Sequence, residues 1–405
     1  MRATGIIAEY NPFHNGHLYQ INKIRETLRP DLIIVVMSGN FTQRGEPAIL
    51  SKWSRAEMAL AAGVDLVFEL PYVYAVGRAD TFASGGVALL NALHVSHLVF
   101  GSENGEIAPF INSIEQIEMH SSRYQNALAA ALSQGISYPN AHAAAYQTVI
   151  QGQSGPFADL REPNNSLAFH YIRAIRHGAG TIQPVTFKRQ TAAHGDIQFA
   201  AEATIASATS IRHVLQTSSD WQLQLRDKLP QASLSILNEQ KRQGSLASWE
   251  RFFPYLKYTL LAAPRGQLQT FYEAEEGIEN RLIKWIQSAN SFEQFIGAIK
   301  TKRYTWVRLQ RLCTHILTHT LKNEAKAAAV SAPTYLRLLG MSPVGQRYLS
   351  EQRKTIDLPL ITKIRRHHPD DLSIDLRAGQ IYDFLTARDK TAPSETGHAP
   401  LRKGY

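Results

Sequence analysis

Four short apolar runs alternate with amphipathic stretches over the first hundred residues. The runs are Thr4–Glu9, Leu32–Met37, Val64–Leu70 and Val95–Gly101. Between them, His17–Leu28, Lys52–Ala62 and Ala79–Leu93 space their apolar residues three or four apart. Runs of that length read as buried strands, and the spacing reads as helices. Their alternation predicts βαβ units, a parallel sheet and right-handed crossovers. Ligands of such sheets sit at the carboxyl ends of the strands, so four loops become candidates: Tyr10–Gly16, Ser38–Pro47, Pro71–Ala79 and Gly101–Gly105. From Ile107 to Gln151 the pattern is helical with a break at Gly135–Pro139. Arg161–Ser166 opens a further helix, and Thr181–Arg189 reads as another strand. Beyond residue 217 the alternation stops. Helices with basic faces are predicted over 218–389, and a polar, disordered tail over 390–405.

The candidate chemistry begins where the first strand ends. Asn11-Pro12 breaks the strand, and Leu18, Ile21, Ile24 and Leu28 then recur at helical spacing. His14 and His17 thus flank Gly16 on a strand-to-helix loop. Gly16 has no Cβ, so a ligand can approach the backbone. A helix start favours a phosphate, and two imidazoles beside it can donate hydrogen bonds to phosphoryl oxygens. Composition alone, 15 His and 25 Gly in 405 residues, gives roughly 0.03 matches to H-x-G-H. This is the signature of the nucleotidylyltransferase superfamily, which cleaves between the α- and β-phosphates of a nucleotide. The bland alternative is a loop with two solvated histidines. A second hallmark of that superfamily follows at Ser207-Ala208-Thr209-Ser210-Ile211-Arg212. Ser207 or Thr209 caps the next helix. Arg212 in its first turn opposes the helix dipole, a mild cost that makes sense if it meets an anion. The strand-end pair Lys188-Arg189 suits a phosphate or simply a solvated end. Asn164-Asn165, before a helix, are either caps or readers of a base or ribose edge. The expected fold is therefore α/β. A Rossmann-like nucleotidyltransferase (HUP-type) domain with a parallel sheet covers 1–217, followed by a mainly α-helical region.

Composition adds location and partners. No apolar run reaches the roughly 18 residues that span a bilayer. The N-terminus enters a strand without a basic region or cleavage site, so no signal peptide is expected. A single cysteine, Cys313, excludes an intrachain disulfide and suits a reducing cytoplasm. Net charge is +9; residues 301–405 hold 18 Lys/Arg against 9 Asp/Glu, and the first 300 hold 25 of each. A neutral N-terminal part and a basic C-terminal part suggest a catalytic domain followed by a polyanion surface. Lys302-Arg303-Tyr304-Thr305-Trp306-Val307-Arg308 interleaves aromatics with cations. That pattern fits stacking on unpaired bases as well as it fits an amphipathic helix. Lys302, Arg303 and Arg308 are its candidate nucleic-acid contacts.

The stretches GIIAEYNPFHNGH, SGNFTQRGEPA, GSENG, GISYPNA, PNNSLAFHYI and SATSIR resemble the bacterial tRNA(Met) cytidine acetate ligases, closely over residues 1–215 and more loosely beyond, in LRLLGMSPVG and IYDFL. The resemblance implies a two-step enzyme. Acetate and ATP form acetyl-adenylate and pyrophosphate; the acetyl group then passes to N4 of the wobble cytidine of elongator tRNA(Met). It further implies catalytic roles for His14, His17 and Arg212. An ATP site would be formed by Ile7, Ala8, Glu9, Tyr10, Asn11, Pro12, Phe13, His14, Asn15, Gly16 and His17, with Gly101, Asn164, Asn165, Lys188, Arg189, Ser207 and Thr209. Mg²⁺ would be carried by the phosphates, since no dedicated carboxylate cluster is visible. No protein metal ligand, membrane or obligate protein partner is expected. Two other readings compete. One is a small-molecule adenylyltransferase of the pantetheine-phosphate or nicotinamide-mononucleotide type, which leaves roughly 190 helical, basic residues unexplained. The other is a non-catalytic tRNA-binding protein on the same fold.

Overall fold

The computed structural model describes residues 1–178, 180–189, 204–330, 332–365, 368–386 and 395–404. Its centre is an eight-stranded sheet. The strands are β1 (Ala3–Ala8), β2 (Leu32–Ser38), β3 (Leu66–Leu70), β4 (His97–Ser102), β5 (Gln183–Lys188), β6 (Leu336–Met341), β7 (Leu360–Ile361) and β8 (Leu401–Arg402). They lie in the order β5-β4-β1-β2-β3-β6-β7, with β8 pairing to β6. The first five run parallel, as the alternation predicts. β2 is buried along its whole length, which is why it reads as an unbroken apolar run rather than an alternating one. The chain winds to one side of β1 through β2 and β3, then to the other through β4 and β5. The crevice between β1 and β4 is thus the topological switch point where such sheets bind ligands. Close packing of helix Ala79–Ala92 on β1 needs Gly5, where a Cβ would lie 2.7 Å from a Leu90 methyl.

Two features beyond residue 217 differ from the sequence expectation. β6 is wholly buried and joins β3 antiparallel, so the helical half also contributes to the sheet. A single short run among helices, interrupted by Arg337, carries no clear alternation and cannot be told from a helix segment by periodicity. The tail expected to be disordered holds structure over 395–404; residues 390–394 lie outside the described residues. Glu395 is buried and pairs with Lys52 (2.5 Å) and Arg337 (2.9 Å), while Glu69 pairs with the same two cations at 2.7 and 3.2 Å. The His398 ring stacks on Trp53 at 4.2 Å, and β8 runs parallel to β6. A polar sequence is ordered here because its one carboxylate completes a buried set of two cations and two anions. Among the described residues, no helix is long and apolar enough to cross a membrane.

Candidate active site

The motif loop leaves β1 and enters helix α1 (Asn15–Thr27). His14 is the N-cap: its Nδ1 accepts from the Gly16 N–H at 3.0 Å, and the His17 Nδ1 accepts from the His14 N–H at 3.2 Å. The two imidazoles thus do the work that Ser and Glu do in an ordinary capping box. A neutral imidazole whose Nδ1 accepts must carry its proton on Nε2, so both rings keep an Nε2–H donor to offer. The rings stack at 3.8 Å, and Tyr10 and Phe13 pack against His17 at 4.7 and 5.4 Å. Gly16 is required for a reason nearer than ligand access: a Cβ there would lie 2.8 Å from the His14 ring.

Burial, reinforced by Arg189 and Arg212, pushes His14 down to about 3. Burial first, then His14 and Arg189, hold His17 well below the ordinary range. Both rings are therefore neutral donors at neutral pH. Burial likewise lowers His142 and His170 to about 4 and His315 to about 3. In the unfolded chain these groups titrate near 6.5. The unfolded state thus takes up protons below pH 6.5 that the native state refuses until about pH 4, and stability is lost through that window. The urea midpoint is expected to fall between pH 7 and pH 5; equal midpoints would mean that these histidines are charged in the fold.

A cleft of about 560 Å³, open mouth included, lies against the motif. His14, Gly16, His17, Tyr19 and Gln20 form one wall. Phe100 and Gly101 at the end of β4, Phe187, Lys188 and Arg189 at the end of β5, and Ile205 form the rest. The two strand-end cations thus meet the two histidines across one space. Gly101 permits this, since a Cβ there would lie 2.9 Å from the Arg189 side chain. Tyr19, Gln20, Phe100, Phe187 and Ile205 were not singled out from sequence. Phe100 and Phe187 were findable, each being next to a named residue at a strand's carboxyl end.

The remaining expected residues are placed differently. Asn165 is 2% exposed: its Oδ1 accepts from the Glu103 and Asn104 N–H groups, and its Nδ2 donates to the Asp159 carbonyl. It shapes the loop after β4. Asn164 donates to Glu103 and accepts from Arg189 Nη1 at 3.1 Å, one contact behind the cleft. Within the run Ile7–Phe13, side chains build the loop rather than line the cleft. Ile7 packs on Gly86, and Ala8 adjoins the core. Glu9 accepts from the Gln43 N–H, Asn11 Oδ1 accepts from the Ile49 N–H, Phe13 is buried, and the Asn11-Pro12 bond is cis. Asn15 donates to the Thr204 and Asp227 carbonyls. Ser207 caps helix Ala208–Thr217 as expected, accepting from Ser210 N–H, while Thr209 is exposed. Arg212 does not line the cleft; it donates to the Asn11 carbonyl at 2.9 Å and pairs with Glu46 at 3.1 Å.

Of the proposed nucleic-acid contacts, Lys302 is exposed. Arg303 pairs with Glu276 at 3.2 Å; Arg308 pairs with Glu276 at 3.3 Å and covers the Tyr304 ring at 5.0 Å. Tyr304 is buried. Of the two aromatics among these cations, Tyr304 is core and Trp306 half-buried against it, and two of the three charges already meet carboxylates.

A parallel sheet that reverses its order at a loop where two histidines cap a helix, facing strand-end cations, defines a nucleotidyltransferase site. The chain matches the family described as HIGH Nucleotidyl Transferase over residues 1–396. Proteins named tRNA(Met) cytidine acetate ligase from Bacillus licheniformis and Bacillus subtilis are 45% and 42% identical to it, over 94% and 99% of this chain and 92% and 97% of theirs. The crystal structure of apo Thermotoga maritima TmcAL superposes with a TM-score of 0.91 at 30% identity, covering 99% of each chain. The same protein bound with alpha-thio ATP gives 0.86 at 30% identity, covering 99% of this chain and all of that one. The chain belongs to the HIGH nucleotidyltransferase family and, within it, to the tRNA(Met) cytidine acetate ligases.

Proposed function

We propose that the protein activates acetate with ATP and transfers the acetyl group to N4 of the wobble cytidine of elongator tRNA(Met). The observation that carries this reading is the cleft itself: two neutral Nε2–H donors and two cations converge on a helix N-terminus at the sheet's switch point. Relatives over nearly the whole chain are named for this reaction, and a neighbour is bound with an ATP analogue.

In the first step an acetate oxygen bonds to the α-phosphorus and the bond to the β-phosphate oxygen breaks, expelling pyrophosphate. Two anions are brought together, so the site must neutralise charge and align the groups. His14 and His17 donate to phosphoryl oxygens from the helix start. Lys188 and Arg189 face them from β5, and Arg212 takes the leaving phosphates. Phe100 and Phe187 supply apolar lining beside which adenine can lie, and Gly101 lets Arg189 approach. Among the described residues no three His, Cys, Asp or Glu side chains converge. Mg²⁺ accompanying ATP would therefore take oxygens from phosphate and water, as this ion commonly does. In the second step the cytidine amine bonds to the acetyl carbonyl carbon, AMP leaves and the amine loses a proton to solvent. A splayed-out loop base can reach the cleft. We place the enzyme in the cytoplasm, acting without an obligate protein partner.

A pyrophosphate-release assay separates the readings. Release should require acetate rather than a phosphopantetheine or nicotinamide mononucleotide; a non-catalytic protein releases none. Lys302→Gln should lower the slope of log K for tRNA against log salt by about 0.7 to 0.9, the value of one phosphate contact. Arg303→Gln and Arg308→Gln should do less, because Glu275 and Glu276 already hold these side chains. An unchanged slope for Lys302→Gln, in protein that melts normally, removes this segment from the tRNA surface.

A further inference from the structure

Arg212 stands beside the motif loop, paired with one carboxylate whose loop is fixed from two sides. Glu46 sits in the loop after β2. The loop closes on itself, Gly45 N–H donating to the Thr42 carbonyl at 2.8 Å and Thr42 N–H to the Glu46 carbonyl at 2.9 Å. On the sheet side, the Gln43 N–H donates to Glu9 Oε1 at 2.7 Å, and Gln43 Nε2 donates to the Gly77 carbonyl at 2.8 Å. On the side of the helical half, the Gly45 carbonyl accepts from Trp249 Nε1 at 3.0 Å and Thr314 Oγ1 at 2.7 Å. The Arg44 carbonyl accepts from Gln310 Nε2 at 2.8 Å. Gly45 has φ +75°, and a Cβ on it would strike the Arg311 backbone at 2.5 Å. The Glu46 backbone is therefore held in place, whereas Arg212 is a long side chain in the second turn of helix Ala208–Thr217. Its guanidinium spans the Asn11 carbonyl of the motif loop and the Glu46 carboxylate.

A triphosphate in the cleft and Glu46 are two anions that compete for one guanidinium. We infer that Glu46 is a positioning residue. It holds Arg212 against the motif loop and yields it to the incoming phosphates, so that its charge sets how tightly ATP is held. This rests on the reading that ATP binds in the cleft. Removing the charge while keeping an acceptor should free the arginine. Both side chains are partly exposed (19% and 29%), so the effect stays within what a surface pair provides.

The test is a thermodynamic cycle read by calorimetric titration of ATP without acetate. Glu46→Gln should tighten the Kd for ATP about five-fold, and in an Arg212→Ala background the same substitution should leave Kd unchanged. A Kd that is unchanged or weaker in Glu46→Gln overturns the inference. So does an equal tightening without Arg212, which would mean that Glu46 repels the nucleotide directly. A parent protein that binds no ATP overturns both this inference and the proposed function, whereas a binding parent with an indifferent Glu46→Gln overturns this one alone.

Discussion

His17→Ala is expected to slow acetyl-adenylate formation about 10²–10³-fold, the usual consequence of removing one preorganised donor from developing charge. The ring is half-buried, stacked on His14 and oriented by the His14 N–H, so its Nε2–H is fixed in direction before substrate arrives. Its low pKa makes it a neutral donor rather than a general acid, and an alanine supplies neither hydrogen bond nor water-excluding surface. The fold should survive. The substitution removes one capping bond, worth about 1 kcal/mol, and the Gly16-to-His14 bond remains. Pyrophosphate release measured beside a thermal melt checks both halves. A folded variant with near-parent rate would remove His17 from the chemistry.

The largest effect on stability is expected at Lys52. Lys52→Met keeps the length of the side chain but strips the charge from a site where the partners are 5% and 0% exposed. Glu69 and Glu395 would then share Arg337 alone. Breaking a buried ion set by removing one member costs about 3–5 kcal/mol, because the uncompensated charge stays behind. Lys52 adjoins Trp53, and Glu395 leads to His398, which stacks on that indole. Loss of the ion set should therefore also release the 395–404 segment and change Trp53 fluorescence before global unfolding. Urea unfolding followed by fluorescence measures this; a variant as stable as the parent would show that the carboxylates are protonated or solvated in place.

The contrast between these two residues shows what a sequence can carry. His17 was legible because its meaning is local: a strand, a break, a glycine and a helix within fifteen residues. The first five strands were legible for the same reason, since burial on both faces writes an apolar run and each crossover writes a helix. Lys52 was not legible. Its partner Glu395 is 343 residues away, and a lone carboxylate in a polar tail has no periodicity to betray burial. Strand β6 was missed because one short run, broken by Arg337 and without alternation, is ambiguous. Asn165 was open between a cap and a reader of a base or ribose edge, and only the loop after β4 reveals that its amide joins Glu103, Asn104 and Asp159. The cationic segment 302–308 fitted a nucleic-acid surface and an amphipathic helix equally, because Glu275 and Glu276, which meet two of its charges, lie elsewhere in the sequence.

The two-step acetylation is tested most directly by following labelled acetate. The protein is incubated with ATP, acetate carrying the label in its methyl group, and elongator tRNA(Met) transcript; the tRNA is then digested to nucleosides. The account predicts one acetyl group per tRNA, on N4 of cytidine, with one AMP and one pyrophosphate released, and no label in a transcript whose wobble cytidine is replaced by uridine. Acetate-dependent pyrophosphate release with no label in the tRNA, or label that persists in the uridine transcript, would contradict it.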